Sequence, residues 1–125
     1  MKAMEVQVDK ISSILQFTCV GKRSYDSYVQ LIDLVVSELD KDKETKKILV
    51  DLTELTGDLS ILERHTVGKY LAEKLPREIR IAVVSRRNYL VKMVENTAVN
   101  RGVKMFTTSE KEEAANWLER SSDKY

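Results

Sequence analysis

The segment ILVDLTELTGDLS, residues 48–60, contains the densest set of side chains that could do chemistry. Its first five residues indicate a buried strand. The polar and small residues in the segment are Asp51, Thr53, Glu54, Thr56, Gly57, Asp58 and Ser60. This pattern fits a site with a phosphorylatable serine, and it also fits a strand end followed by a helix cap. Ser60-x-x-Glu63 has the spacing of a capping box, which predicts a helix that begins at Ile61.

Two short segments contain basic side chains that could hold an anion. They are GKRS at 21–24 and SRRN at 85–88, with the candidate ligands Lys22, Arg23, Arg86 and Arg87. Each segment precedes a predicted helix, and the free N–H groups at a helix N-terminus favour anions. If the segments converge, they form a site for phosphate or carboxylate. If they do not converge, these side chains are ordinary exposed surface.

The segment around Gly21 does not fit a nucleotide-binding P-loop. Gln16 stands where the first glycine of that motif is needed, and Arg23 stands where a serine or threonine must follow the lysine. A turn in which Ser24 caps the next helix accounts for the same residues.

Residue types that commonly catalyse reactions are few in this chain. His65 is the single histidine and Cys19 the single cysteine, so neither belongs to a set with metal-ligand spacing. A relay of Ser60, His65 and Asp58 lacks the G-x-S-x-G pattern of a nucleophile elbow. We therefore expect His65 to be a packed structural residue, and we expect no metal, no cofactor and no enzymatic activity.

Composition indicates a globular protein of ordinary domain size. The chain has 125 residues, of which 42% are hydrophobic and 33% charged, with a net charge of +1. Such a balance argues against a nucleic-acid partner, which would need a basic face. No segment reaches the roughly twenty apolar residues of a membrane span. A single cysteine favours a reducing, cytoplasmic location.

Apolar periodicity predicts the element order β-β-α-β-α-β-α-β-α in a single domain over residues 1–125. Strands that alternate with helices imply a mixed, mostly parallel five-stranded sheet with helices packed on it. The first two strands are predicted to form a hairpin around DKIS, with the first strand antiparallel at one edge. The fold class is therefore α/β.

The central strand is predicted over residues 48–52. Because a buried carboxylate needs hydrogen bonds, Asp51 is expected to accept them from the turn at Thr56 and Gly57. The second helix is predicted to place Ile61 and His65 on its inner face, with His65 pointing inward or lying at the edge of that face.

Two further expectations concern helix packing and capping. Gly68 and Ala72 lie one turn apart in the second helix and are predicted to permit a close approach of that helix to the sheet. Ser109-x-x-Glu112 predicts another capping box, which would begin the last helix.

The order of elements, together with LVDLTEL, EIRIAVVS, GVKMF and EEAANWL, resembles the STAS-like proteins. Within them, the chain resembles the bacterial SpoIIAA-like family, which has been likened to CRAL-TRIO lipid-transfer domains. The resemblance extends from about residue 4 to residue 119. It implies a small non-enzymatic module.

In the antagonist members of that family, a serine controlled by a phosphatase switches the binding of a partner kinase. Their Asp-Ser pair opens the helix after the central strand. Here the matching stretch is Asp58-Leu59-Ser60, in which Leu59 separates the pair, and ILERH replaces the small glycine-bearing turn. The resemblance thus implies partner binding and leaves Ser60 with the role of a helix cap.

Two functional hypotheses follow. In the first, a protein partner docks through residues 53–60 and the next helix, and the partner-binding loop contains Thr53, Thr56, Gly57, Asp58 and Ser60. This hypothesis predicts an exposed apolar patch beside Ser60 and no internal cavity. In the second, the chain carries or senses a small apolar, lipid-like or anionic ligand. That pocket would be lined by Leu71, Tyr89, Met93 and Val94, with Arg86 or Arg87 at its mouth. A homodimer is compatible with both hypotheses.

Overall fold

The fold is a five-stranded sheet with three helices on one face and one on the other. A computed structural model describes residues 4–86 and 88–120, without the side chains of residues 88–90. The strands are β1 Glu5–Ile11, β2 Ile14–Lys22, β3 Lys47–Thr56, β4 Arg80–Val84 and β5 Lys104–Thr108. The helices are α1 Tyr25–Lys41, α2 Ile61–Lys74, α3 Asn88–Val99 and α4 Lys111–Glu119. The predicted fold class and element order are confirmed.

The strands lie in the sheet in chain order, from β1 to β5. β1 pairs antiparallel with β2, and all later pairs are parallel. Ile11 pairs with Ile14, so a two-residue turn joins β1 to β2, and Ser12 takes a left-handed φ of 58° in it. The predicted antiparallel edge strand is confirmed, and the hairpin turn is tighter than the predicted DKIS connection.

Two apolar layers explain why β3 and β4 are almost continuously hydrophobic. Ile48 and Val50 of β3 face the larger core under α1, α2 and α3, whereas Leu49 faces the smaller core. α4 covers that second face with Ala114 and Leu118. Strands that are buried on both faces lose the alternation of a half-exposed strand. Among the described helices, none combines the length and apolar character needed to cross a membrane.

Two predictions about element ends were wrong. β3 continues four residues beyond Leu52, because its ladder with β2 runs as far as the pair of Lys22 and Thr56. The last helix is preceded by Glu110, not capped by Ser109. Thr108 replaces that cap, since its hydroxyl accepts a bond from the Glu110 N–H at 3.1 Å and donates to the Glu113 carboxylate.

Gly68 brings α2 into close contact with α3, whereas the sequence predicted a close approach to the sheet. A methyl group added to Gly68 would lie 2.7 Å from Thr97 Cβ and 2.8 Å from the Val94 carbonyl oxygen. Both atoms belong to α3. A side chain at position 68 would therefore force the two helices apart, because closely packed neighbours relax only partly.

We expect Gly68→Ala to destabilise the protein by about 1–3 kcal/mol, although alanine is the better helix former by about 1 kcal/mol. Urea unfolding measures the difference. The control is Lys69→Ala at the next, exposed position of α2, which we expect to change stability by less than about 0.5 kcal/mol. A Gly68→Ala variant as stable as Lys69→Ala would show that the helices have room to separate.

Candidate functional site

The carboxyl ends of four adjacent strands form one edge of the sheet. Lys22 at the end of β2 pairs with Thr56 at the end of β3, and the Ser85 N–H, just after β4, donates to the Thr108 carbonyl of β5 at 2.9 Å. The three predicted segments, 21–24, 53–60 and 85–88, therefore lie at the ends of strands that finish at the same edge. Crossovers between parallel strands place ligand sites at such an edge.

Arg23 is the central side chain of this edge, and it is buried, with 4% of its surface exposed. Its Nε donates to the Tyr28 hydroxyl at 3.1 Å, and Nη2 donates to Ser85 Oγ at 3.2 Å. Nη1 donates to the carbonyl oxygens of Leu55 at 3.4 Å and Gly57 at 3.0 Å. One guanidinium thus joins β2, α1, the end of β3 and the segment after β4. We call these four bonds the Arg23 network.

Tyr28 is suited to its place in the Arg23 network because it stays neutral. Burial raises the pKa of its hydroxyl above the ordinary value, and the neighbouring Arg23 opposes that shift. A neutral hydroxyl can accept the bond from Arg23 Nε while remaining in the core.

A bulge reshapes β3 immediately before the site. Thr18 pairs with Asp51 but Val20 pairs with Glu54, so β3 contains one more residue than β2 over this interval. Asp51 Oδ1 accepts bonds from the Thr53 N–H at 2.9 Å and from the Thr53 hydroxyl at 2.7 Å. The predicted bonds to the turn at residues 56 and 57 were therefore wrong. A side chain that bonds two residues ahead closes a compact local turn.

The bulge changes which side chains of β3 face the core. Leu52 and Leu55 both belong to the larger core, although residues three apart point to opposite faces in a regular strand. The extra residue in the bulge brings Leu55 back to the same face of the sheet as Leu52. It also places the Leu55 carbonyl oxygen where Arg23 reaches it.

The turn after β3 is held by Gly57 and Leu59. Gly57 has a left-handed φ of +88°, and a methyl group there would also meet Lys22 Cγ at 3.4 Å. The side chain of Lys22 therefore runs alongside the turn. Leu59 is buried and anchors the segment to the core, and its carbonyl accepts a bond from Arg64 Nε at 3.1 Å.

Ser60 caps α2 as the spacing predicted. Its Oγ accepts the Glu63 N–H at 3.1 Å, and the Glu63 carboxylate accepts the Ser60 N–H at 2.9 Å. The next residue contradicts the sequence prediction, because Ile61 is 66% exposed where it was expected to face the sheet. Leu62 is 73% exposed. Leu59 fills the core position before the helix, and the buried stripe of α2 begins only at Val67.

We use the term docking surface for the part of this edge that the partner-docking hypothesis assigns to a partner. Its members are the predicted loop residues Thr53, Thr56, Gly57, Asp58 and Ser60 together with Ile61 and Leu62. Thr53 and Thr56 lie on β3, not in a loop as predicted. The exposed apolar pair directly after Ser60 is the patch that the partner-docking hypothesis requires.

The predicted basic cluster separates into different environments. Arg23 and Arg86 line one polar cleft of about 240 Å³ together with Thr53, Glu54 and Thr56. Arg86 Nη2 lies 3.8 Å from Glu54 Oε2, in an exposed ion pair. Lys22 is not among the described residues that line this cleft, and its side chain lies beside Gly57. Arg87 lies outside the described residues.

The histidine is exposed, whereas the cysteine is buried. The expectation of a packed His65 was therefore wrong, although its Nδ1 lies 3.2 Å from Thr97 Oγ1, a contact that joins α2 to α3. Cys19 is fully buried in the larger core. Burial, reinforced by the nearby Asp51, raises the pKa of its thiol from 9.0 to about 12. Within residues 4–86 and 88–120, no group of three or more His, Cys, Asp or Glu side chains could hold a metal ion.

Comparison with known proteins identifies the family. A family model described as SpoIIAA-like matches residues 14–119. The chain belongs to the SpoIIAA-like family. This confirms the resemblance inferred from the order of the motifs. A search of curated proteins gave no match.

Two solved structures share the SpoIIAA-like fold of this chain. One is an uncharacterized protein of the DUF3478 family from Shewanella loihica PV-4, described as having a SpoIIAA-like fold. It is 24% identical, with 93% of each chain covered and a TM-score of 0.59. The other is an anti-sigma factor antagonist from Mycobacterium paratuberculosis. It is 16% identical, covers 93% of this chain and 94% of its own, and has a TM-score of 0.63.

Cys19 gives a pH-dependent prediction for this SpoIIAA-like chain. A thiol pKa of about 12 in the folded state, against 9.0 ordinarily, leaves about 1,000-fold less thiolate at pH 8 than an unfolded chain has. We expect a thiol reagent to label the native protein at least about that much more slowly than the protein in urea, because the fully buried thiol is also shielded from the reagent.

The same shift makes the free energy of unfolding fall as the pH rises above about 9, because the unfolded chain loses the Cys19 proton first. Cys19→Ala should remove this contribution, so the stability difference between variant and wild type should narrow with rising pH. Fast labelling of the native protein would contradict the burial of the thiol.

The Arg23 network gives a stability prediction. Arg23→Met leaves the carbonyls of Leu55 and Gly57 and the hydroxyls of Tyr28 and Ser85 without their donor. We expect a loss of about 3 kcal/mol in urea unfolding, and faster amide hydrogen exchange in the turn after β3. Arg23→Lys should recover little of the stability lost in Arg23→Met, since an ammonium group cannot reproduce the geometry of the guanidinium N–H donors.

The matched control is Arg86→Met, which removes an exposed arginine from the same edge. We expect it to change stability by less than about 0.5 kcal/mol. Equal effects at positions 23 and 86 would mean that the buried network does not support the site.

Proposed function

We propose that this chain is a non-enzymatic regulatory module that binds a protein partner through the docking surface. The observation that carries the proposal is the exposure of Ile61 and Leu62, at 66% and 73%. Of the described large apolar side chains, these two are the most exposed, and they are adjacent. Burying one such side chain is worth roughly 1.5–3 kcal/mol, so a partner that covers both gains considerable affinity.

Hydrogen bonds and a buried leucine hold the backbone of the docking surface, which favours binding. The Arg23 network fixes the backbone at Leu55 and Gly57, and Leu59 is buried directly before the exposed pair. The capping box between Ser60 and Glu63 fixes the first turn of α2. A surface that is already ordered loses little conformational entropy when a partner binds.

The comparisons support a partner that is itself a protein. The mycobacterial structure with the same fold is named as an anti-sigma factor antagonist, and an anti-sigma factor is a protein. We therefore expect the partner to be a folded protein with an apolar pocket that receives Ile61 and Leu62. Polar groups at the rim of that pocket would face Thr56 and Asp58.

The cavity in the structure supports the carrier hypothesis less well than the exposed apolar pair supports partner docking. The larger core contains a partly open cavity of about 50 Å³ lined by apolar side chains, including Leu71 and Val94 of the predicted pocket, whereas the docking hypothesis predicted no internal cavity. Met93 is absent from that lining, and the side chain of Tyr89 lies outside the described residues. Ligand pockets commonly measure about 300–1,000 Å³, so this cavity is too small for a lipid in the observed conformation.

A photocrosslinking amino acid at position 62 tests the docking surface in the cells that produce the protein. The comparison position is 69, which is also exposed on α2. We expect a crosslinked protein from position 62 and not from position 69. The captured partner, once purified, should bind the wild-type chain directly in a calorimetric titration.

Leu62→Ser should then weaken that binding at least about ten-fold, because central apolar contacts are worth more than about 1.4 kcal/mol. Val99→Ser is the matched control, since Val99 is an exposed apolar residue at the end of α3. Both variants should unfold at the wild-type urea concentration. An affinity that Leu62→Ser leaves unchanged would contradict the proposal.

A further inference from the structure

The polar cleft beside the docking surface has the volume and the lining of a small-ligand site. Its volume is about 240 Å³, and it lies among the ends of β2, β3 and β4. This volume corresponds to about eight water molecules at liquid density. An oxyanion with a few further heavy atoms would fit into it.

The floor of the cleft contains a buried positive charge. Arg23 lines the cleft, and the four oxygens that its guanidinium contacts are all uncharged. Those bonds use four of the five N–H donors of an arginine, and the fifth is on Nη2. Hydrogen bonds to neutral oxygens satisfy the donors, but among residues 4–86 and 88–120 no acidic side chain forms an ion pair with this charge, which is costly in a buried site.

The mouth of the cleft contains a weak internal ion pair. Arg86 and Glu54 both line the cleft, and their charged atoms lie 3.8 Å apart. Their side chains are 75% and 60% exposed, and exposed pairs contribute only about 0–1 kcal/mol. An incoming anion can therefore replace the Glu54 carboxylate at Arg86.

We propose that this cleft binds a small metabolite through a carboxylate or phosphate group held between Arg23 and Arg86. The anion supplies the counter-charge for Arg23 and displaces Glu54 from Arg86. Thr53 and Thr56, which also belong to the docking surface, line the same cleft. The inference still does not depend on the protein partner, because it rests on Arg23 and Arg86 and not on the exposed apolar pair.

A two-dimensional NMR titration with inorganic phosphate, and separately with acetate, tests the site at constant ionic strength. We expect saturable shifts in the backbone amides of residues 53–57 and in the Arg23 Nε–H signal for at least one of the two anions. A response to phosphate alone would identify a phosphorylated metabolite, and a response to acetate alone would identify a carboxylate. Chloride at the same ionic strength should give no saturable shift.

Two conservative variants test the geometry without disturbing Arg23. Arg86→Gln should weaken binding about three- to five-fold, and Glu54→Gln should strengthen it by a similar factor because it removes the competing carboxylate. Glu78→Gln is the matched control. It breaks the exposed pair of Lys46 and Glu78, whose charged atoms lie 3.5 Å apart before β3 and β4.

The inference would be overturned if neither phosphate nor acetate gave saturable shifts in residues 53–57. It would also be overturned if Glu54→Gln and Glu78→Gln changed the affinity equally, because the response would then reflect net charge. Failure of these titrations leaves the crosslinking result at position 62 unaffected, so the two proposals can fail separately.

Discussion

The Arg23 guanidinium is the interaction on which the functional edge of this protein depends. It crosses the carboxyl ends of three parallel strands and bonds to the α1 tyrosine, two backbone carbonyls after the β3 bulge and the serine after β4. Removing a cation from water is expensive, so the side chain stays buried only where enough oxygens converge on it. The turn that precedes α2 is fixed by that convergence. The position of the cap and of the exposed apolar pair follows from it.

Much of the fold was predictable because its signals are local. The continuous apolar run of β3 reflects burial on both faces, and Ser60 with Glu63 forms a cap that depends on four consecutive residues. Ser109 shows where such a signal fails. Its spacing to Glu112 was correct, but Thr108, one residue earlier, already occupies the turn through its bonds to Glu110 and Glu113. Thr108 and Ser109 both carry a hydroxyl that could cap the start of α4. The spacing to Glu112 alone does not show which of the two does so.

The functional edge was less predictable because its contacts are distant in sequence. Arginine is ordinarily exposed, and the oxygens that bury Arg23 lie 5, 32, 34 and 62 residues away. The sequence does contain a signal that indicates the β3 bulge. Leu52 and Leu55 are three apart, which a regular strand cannot place on one face, and Asp51 followed by Thr53 can close the extra turn. Ile61 was misplaced because periodicity assigned it to the inner face, whereas Leu59 fills that part of the core.

The strands lie in the sheet in the same order as in the chain, and this determines the order in which they can pair during synthesis. Each strand pairs with the strand made just before it, so the sheet can grow from the ribosome without rearrangement. The Arg23 bond to Ser85 has to wait longer, since it spans 62 residues. At about 5–20 residues per second, a nascent chain makes that stretch in about 3–12 seconds. During that interval the guanidinium has emerged without one of its acceptors, so the edge that carries the docking surface is completed after the hairpin and the central strand.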